Sequence, residues 1–557
     1  MFVIIMKQKS LILIALASVI CATKSHAQWN SNTSINNPIS TEINHQQVPR
    51  VTSDSYGGAI ITWIDFRTDI TNVIGDIYAQ RIKADGSIAW TSNGISICAN
   101  AADQTEAFIV EDGNGGAIIS WQDIRNGNRD IYAQRIDSNG TALWTTNGVA
   151  VVTKASEQRS PKIISDGANG AIIAWEDSIN GNSDIFVQRV LANGTLAWFS
   201  GGIPVCISAG TQMNARLTTD GSNGAILTWQ DKRNGNDYDI YAQRITSAGA
   251  ASWATNGVVI CNKVNTQNNP KIESDHAGGA YIMWADKRGA IDYDVYAQRI
   301  NSAGVVQWVA NGISVCSATG SQSAIDATTD GVSNGIFIVW KDGRTINEHV
   351  FGQYLNSSGA ITFTSNGIML SNNALTQLNP NIVGVGNNEA VVTWQDSSSG
   401  NWDIYAQKIN LQTMVAWGNA GVLISDATGN QLSPKNCSNG NGGSIFAFQD
   451  KRGVDNDIYA SQIKSNGTFM NIMNRSSNKN IQLFPNPTSS EVFIQSKELM
   501  LKNTSVVITD MLGKTILSLN LNENKIDISN LENGIYMVSL YSADQDLLSQ
   551  QKLTKNE

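Results

Sequence analysis

The chain has 557 residues, of which only 15% are charged, with 48 glycines, 15 tryptophans and a formal net charge of −9. That length exceeds one ordinary hydrophobic core, so two or more domains are expected. Few charges beside abundant Gly, Asn, Val, Ile and Trp point to an all-β, turn-rich protein. The acidic balance, with no clustered basic run, argues against a nucleic-acid partner.

Residues 1–27 read as a signal peptide. Lys7 and Lys9 supply the positive end, Leu11 to Ile20 the apolar stretch, and Ser25-His26-Ala27 a small-x-small cleavage site. Met6 fits as the start of translation, and bulky Ile20 before Cys21 disfavours lipidation there. No later apolar run approaches 18 residues, so no transmembrane segment is expected.

From about residue 28 to 470 one unit recurs eight times. Trp-x-Asp appears at Trp63/Asp65, Trp121/Asp123, Trp175/Asp177, Trp229/Asp231, Trp284/Asp286, Trp340/Asp342 and Trp394/Asp396, with Phe448/Asp450 as the eighth copy. The spacing is 54 to 58 residues. An Asp-Ile-Tyr-Ala-Gln-Arg-Ile element follows, as at Asp76 to Ile82 and Asp130 to Ile136, degraded in the sixth copy to His349 to Leu355. A Gly then precedes a second aromatic, Trp90 in the first copy and Trp144 in the second. In the third copy, turn residues cut the unit into strands at Pro161–Ser165, Ala171–Trp175, Asp184–Val190, and Leu196–Trp198 continuing to Val205. Four short strands per repeat match a β-propeller blade better than a solenoid coil. The stretch from Trp29 to Ser40 is like the outer part of a unit, so it is expected to complete the last blade and close the ring. Eight blades are expected, with seven or nine the outcome if a copy packs irregularly.

Ser160 to Gly167, Ala171 to Trp175 and Asn182-Ser183-Asp184-Ile185-Phe186 resemble a TolB-type propeller repeat, although the Trp is displaced and Gln-Arg follows the aromatic. The resemblance implies blade topology and little about a ligand.

The repeat ends in a polar linker, 471–480, and residues 481–557 carry short alternating runs separated by Gly and Asn, the pattern of a small Ig-like β-sandwich. Leu483-Phe484-Pro485-Asn486-Pro487, Val492-Phe493-Ile494, Asp510-Met511-Leu512-Gly513-Lys514 and Leu531 to Val538, which includes Gly534 and Tyr536, occur in order. This set resembles the type A C-terminal sorting domain of the type IX secretion system. The resemblance implies handling by that machinery, transfer across the outer membrane, and a mature body either secreted or attached at the cell surface. Pro485, Asn486, Pro487, Gly513, Gly534 and Tyr536 are its motif residues here.

Candidate sites in the repeats mostly read as architecture. Cys98, Cys206, Cys261 and Cys316 share one repeat position that Val152 and Leu370 fill at or nearby in other copies, so buried thiols are favoured over disulfides. Paired carboxylates flank an Asn- and Gly-rich loop in most copies, notably Asp123 with Asp130 and Asp231 with Asp239. Such pairs are weak calcium candidates; the favoured role is hairpin fixation with Arg125, Arg233, Arg288 or Arg452. No cofactor is otherwise implied. His45, His276 and His349 are scattered without zinc spacing, and no nucleophile elbow is present. The expectation is therefore a secreted or surface-displayed binding or adhesion propeller. Its ligand would be an extracellular glycan or protein, met by loops such as Thr68 to Gly75 and Asn234 to Tyr238. The alternative is a propeller-scaffold hydrolase of glycosidase or peptidase class, with Glu348 and His349 in the irregular blade as its first candidates.

Overall fold

A computed structural model describes residues 29–69, 71–179, 181–332, 334–469, 481–496, 504–510, 515–521, 523–541 and 547–556. The signal peptide at 1–27, the linker at 471–480 and Gly513 lie outside the described residues. Two compact units divide after Met470.

In the first unit, a lone strand β1 (Asn37–Ser40) precedes the first blade, made of β2 (Gln46–Ser53), β3 (Ala59–Asp65), β4 (Asp76–Ile82) and β5 (Ile95–Cys98). These four pair in sequence order as one antiparallel sheet. Five more four-stranded sheets and one with an added short strand follow the same order. The eighth takes its first three strands from Gln431–Ser438, Ser444–Asp450 and Asp457–Ile463 and its fourth from β1, with Asn37 opposite Ala460. Trp29, at 1% exposure, packs in one cluster with Trp63 of the first blade and Ile445 of the eighth. The expected closure by the N-terminal strand is thus what joins the ends of the ring.

Each second strand is an apolar run buried along its length, as Ala59–Asp65 and Ala117–Asp123 are, because it is covered on both faces by neighbouring blades. The seven Trp-x-Asp tryptophans are all fully buried, each stacked on the aromatic of the third strand, as Trp121 on Tyr132 at 6.4 Å. Glycine is required where the hairpin between first and second strands closes: a Cβ on Gly116 would lie 2.1 Å from the Ile136 carbonyl oxygen.

Two strand boundaries differ from expectation. The fourth strand of the third blade is only Ile203–Cys206, and Leu196 makes a single bridge to Val190. Its intended ladder is replaced by a side chain, since Gln188 Oε1 accepts the Trp198 N–H at 3.1 Å while its Nε2 donates to the Phe199 carbonyl at 2.9 Å. The innermost strand is longer than expected, Gln158–Ser165, because a β-bulge carries it three residues past Pro161.

The second unit has one sheet of Ile481–Phe484, Glu491–Ser496 and Lys525–Asp527, and a second ordered Thr515–Asn520, Ser505–Thr509, Gly534–Tyr541, Leu547–Lys555. Val492, Ile494, Val506, Ile508, Val538, Leu540 and Leu553 share the core between them, which makes an Ig-like sandwich.

Candidate functional site

The repeated loops hold themselves together. Asp123 Oδ2 accepts the Trp121 indole N–H at 3.0 Å, and Arg125 donates Nε–H to Oδ1 at 2.8 Å and Nη2–H to Oδ2 at 2.5 Å. Asp231 with Arg233, and Asp286 with Arg288, repeat the arrangement. Arg125 also lies over the Tyr132 ring, 3.9 Å from its centroid. Fixation of the hairpin by these arginines matches the architectural expectation. Asp130 faces Asp123 across the hairpin and accepts from Asn126 Nδ2 at 2.7 Å; Asp239 faces Asp231 and accepts from Asn234 Nδ2 at 3.1 Å. Burial raises the carboxyls of both Asp130 and Asp239, the latter to about 6 with Asp231 and Asp237 adding to it. With Arg125 and Arg233 already on Asp123 and Asp231, a calcium ion would have to displace a guanidinium. Among the described residues no three His, Cys, Asp or Glu side chains are grouped to hold a metal ion.

The five cysteines of the described residues are free and buried. The position is more than an apolar slot, because the Cys98 sulfur lies 3.8 Å from Asp123 Oδ2 and accepts from Arg125 Nη2 at 3.1 Å, linking the first blade to the second. Burial pushes its thiol up to about 12. The arginines of the Gln-Arg element are held by an aspartate of their own blade and reach the next one, as Arg135 donates to Asp112 at 2.8 Å and to the Ala192 carbonyl at 3.1 Å. The outer tryptophans donate across blades, Trp144 Nε1 to the Ala192 carbonyl at 3.0 Å. In the sixth blade Glu348 is salt-bridged to Lys341 at 2.6 Å, and His349 occupies the register position opposite Asp342 with a pKa lowered by burial.

What does not repeat lies at the ring axis. The third residue of every innermost strand adopts a left-handed backbone, from Val48 (φ 54°) and Ser160 (φ 55°) to Asn379 (φ 53°) and Ser433 (φ 53°). For a β-branched Val this conformation is strained. Side chains from the preceding blade hold several of these bulges: the Val48 N–H donates to Gln449 Oε1 at 3.0 Å, Ser160 to Gln122 Oε1 at 2.8 Å, and Asn214 to Glu176 Oε1 at 2.7 Å. These latch residues are the x of Trp-x-Asp.

The bulge leads into the fifth strand residue, which is Arg50, Lys162, Arg216, Lys271 or Lys435 in five blades and Phe108, Asp326 or Asn381 in the others. A cavity of about 390 Å³ is lined by innermost-strand residues of six blades, among them Arg50, Arg216, Lys271 and Lys435, which places it on the axis. No carboxylate lines it. A neighbouring cavity of about 360 Å³ shares Arg50 and Arg216 and adds Glu106, Phe108 and Lys162. Both are lined chiefly by residues among the first five of the innermost strands, the part toward the Trp-x-Asp loops, since Gln46 at the start of β2 is opposite Asp65.

The cations are unevenly compensated. Asp326 takes Lys271 Nζ at 3.1 Å, Asn381 Nδ2 at 2.6 Å and the Ile382 N–H at 3.2 Å. Arg50 and Lys162 flank the two sides of the first- and third-blade approach to Phe108, 4.7 and 4.1 Å from its centroid. Arg50 Nε is buried with no partner, Lys162 Nζ reaches only the Ser160 and Pro161 carbonyls, and Arg216 Nη1 only the Ala215 carbonyl. Burial, then Arg216, lowers Lys162 to about 7; burial, then Arg50, lowers Lys435 to about 8. Burial and then Asp326 raise Glu273, two residues beyond Lys271, to about 8. Sequence reasoning passes over this ring; the available signal was Lys or Arg at one innermost-strand position in five of eight copies.

In the second unit, Asn486 pins the last strand, donating Nδ2–H to the Lys552 carbonyl at 2.7 Å and accepting the Thr554 N–H at 2.9 Å. Thr488 N–H donates to the Thr554 carbonyl at 3.0 Å, and the Tyr536 hydroxyl to the Glu532 carbonyl at 2.8 Å. Pro485 and Pro487 border a surface depression with Phe493, and Gly534 starts the strand that pairs with Leu547–Lys555.

Residues 482–556 match the family described as a secretion system C-terminal sorting domain. A search of the curated proteins finds no match. Among solved structures, a protein of unknown function from Dyadobacter fermentans aligns at 11% identity over 65% of this chain and 94% of that one, with a TM-score of 0.37. An endo-arabinase from Bacteroides thetaiotaomicron aligns at 13% over 47% and 94%, with a TM-score of 0.29. PorZ, a surface component of the type IX secretion system of Porphyromonas gingivalis, aligns at 13% over 93% and 82%, with a TM-score of 0.28. The sorting domain implies handling by the type IX secretion machinery and export to the cell surface or beyond. No helix among the described residues is long and apolar enough to cross a membrane.

Proposed function

Because residues 482–556 form a secretion-system sorting domain, we propose that the chain is an exported binding protein whose propeller takes an extracellular glycan or protein ligand at the axial mouth. One observation carries this reading. The Trp-x-Asp carboxylates and the Gln-Arg arginines are largely consumed by contacts that recur from blade to blade, whereas the mouth brings together polar groups that differ from blade to blade around a cavity. A site of this kind, concave and with a few convergent polar groups, is where small-ligand recognition is expected. The hairpins that follow Asp65 and Asp231, with residues 71–75 and Asn234 to Tyr238, turn at the same end of the strands and would frame it.

The hydrolase alternative would place two carboxyl groups on either side of a reacting bond. Glu348 is committed to Lys341, and Glu176, which lines neither cavity, is committed to the Asn214 N–H. The discriminating experiment screens purified full-length protein on glycan and peptide arrays beside a hydrolase panel. Retention without turnover, weakened by substitution at Arg216, is the expected result. Turnover abolished by Glu348→Gln or Glu176→Gln would replace the binding reading with the hydrolytic one.

A further inference from the structure

The mouth is cationic in a protein that is acidic overall. Resting on the reading of the mouth as the binding site, we propose that its ligand is an acidic oligosaccharide whose carboxylate or sulfate groups enter the axial cavity between Arg50, Arg216 and Lys435.

Four cationic side chains line that cavity and no carboxylate does, and Asp326, which faces Lys271, is spent on Lys271 and Asn381. Two guanidinium groups are left with nitrogens that no carboxylate holds: Arg50 Nε has no partner, and Arg216 reaches only a backbone carbonyl. Guanidinium forks suit the planar geometry of carboxylate and the tetrahedral oxygens of sulfate, and charge-assisted hydrogen bonds are strongest where water is excluded. Burial and then a neighbouring guanidinium, Arg50 for Lys435 in this cavity and Arg216 for Lys162 in the adjoining one, lower both lysines. An anion entering the cavity relieves the repulsion between these like charges, which is a differential interaction the empty mouth lacks.

The neutral lining favours a sugar. Asn269 and Ser433, two residues before Lys271 and Lys435 on the same strands, line the rim and offer amide and hydroxyl groups to sugar hydroxyls. An acidic peptide bound as an added strand would need a free sheet edge. The bulge N–H groups of Val48, Asn269 and Ser433 on this rim are instead already donated to Gln449, Gln230 and Gln395. The volume of about 390 Å³ falls within the range of roughly 300–1,000 Å³ usual for small-ligand sites.

The test is titration calorimetry of the full chain with oligogalacturonate, a heparin-derived tetrasaccharide, a neutral cello-oligosaccharide and a poly-glutamate peptide. The expected result is binding of a carboxylated or sulfated sugar and no binding of the neutral one. The two acidic sugars separate carboxylate from sulfate as the source of the charge. Arg216→Gln and Lys435→Gln should each weaken binding tenfold or more, while Lys525→Gln, an exposed charge change in the second unit, should not. A wild-type readout guards against misfolded variants. Affinity should fall as pH rises from 7 to 9, because Lys162 beside Arg50, Arg216, Glu106 and Glu176, and Lys435 beside Arg50, Lys271 and Asp326, lose their protons there. If the neutral sugar or the peptide binds instead and Arg216→Gln weakens it, the acidic-sugar inference falls while the mouth remains the site. If an acidic sugar binds and neither variant nor pH alters its affinity, both fall. Absence of binding by every probe overturns the inference.

Discussion

Arg125 holds both carboxylate oxygens of Asp123 and, through the same Nη2, reaches the Cys98 sulfur of the preceding blade at 3.1 Å. The three residues vary together along the chain. Cys98, Cys206, Cys261 and Cys316 each precede a blade whose Asp carries an Arg, and Ser40 contacts Arg67 in the same way. Where Val152 and Leu370 stand, the following Asp177 and Asp396 have no such Arg, and their Trp N–H contacts lengthen to 3.3 Å.

Removing one member of this linkage should cost stability. Asp123 is fully buried and Arg125 15% exposed, so Asp123→Ala leaves a guanidinium without its partner, at a cost of about 3 kcal/mol or more. Arg159→Ala, on the exposed surface, should change stability by less than about 0.5 kcal/mol. Denaturant midpoints of the two variants make the comparison.

The thiol should be tolerant of one replacement and not the other. Cys98→Ser keeps a donor and acceptor, as Ser40 does for Arg67, whereas Cys98→Val strips an acceptor from Arg125 and should cost about 1 kcal/mol. Native protein should also resist a thiol reagent at pH 8, since all five described cysteines are buried and burial holds Cys98 at about 12. Reaction in denaturant but not in buffer is the expected pattern.

Ring closure predicts a large effect from a residue that precedes the first full repeat. Trp29 is 1% exposed, packs against Trp63 and donates its indole N–H to the Ala84 carbonyl at 2.9 Å. Trp29→Ala should cost about 3–5 kcal/mol, and thermal unfolding should detect the loss.

The Asp239 carboxyl lies at about 6 when folded, above its ordinary value of 3.8, because of burial and then Asp231 and Asp237. The folded state therefore binds more protons than the unfolded state between those values, and this group's contribution to stability falls as pH rises from about 4 to 6. Asp239→Asn should raise the melting temperature at pH 7 and leave it little changed at pH 4. If calcium occupied this hairpin with Asp231, the variant would instead lose a calcium-dependent rise in melting temperature, which a chelator comparison would reveal.

The sorting domain makes an export prediction. Deleting residues 481–557 should leave the propeller in the periplasm, read by fractionation. Asn486→Ala, which frees the Lys552 carbonyl and the Thr554 N–H from the motif, should reduce export while the propeller remains folded.

Much of this protein is legible along the chain because its information is local and repeated. The Trp-x-Asp and Asp-Ile-Tyr elements and their variants state the blade eight times, Trp29 to Ser40 announces the missing fourth strand, and the ordered motifs from Pro485 to Tyr536 identify the sorting domain. Strand limits were less legible: Gln188 diverts the ladder that Leu196 to Trp198 would have made, and no local pattern reports a side chain standing in for a strand.

The mouth was decided only by the tertiary structure. Arg50, Lys162, Arg216, Lys271 and Lys435 are separated by 54 or more residues, so no window of sequence contains two of them, and the net charge of −9 conceals them. Closing eight blades into a ring brings their innermost strands to a common axis, and the left-handed bulges lead each of these side chains into it. A repeat displays what all eight copies share, whereas this site rests on a position that five copies make cationic and three do not.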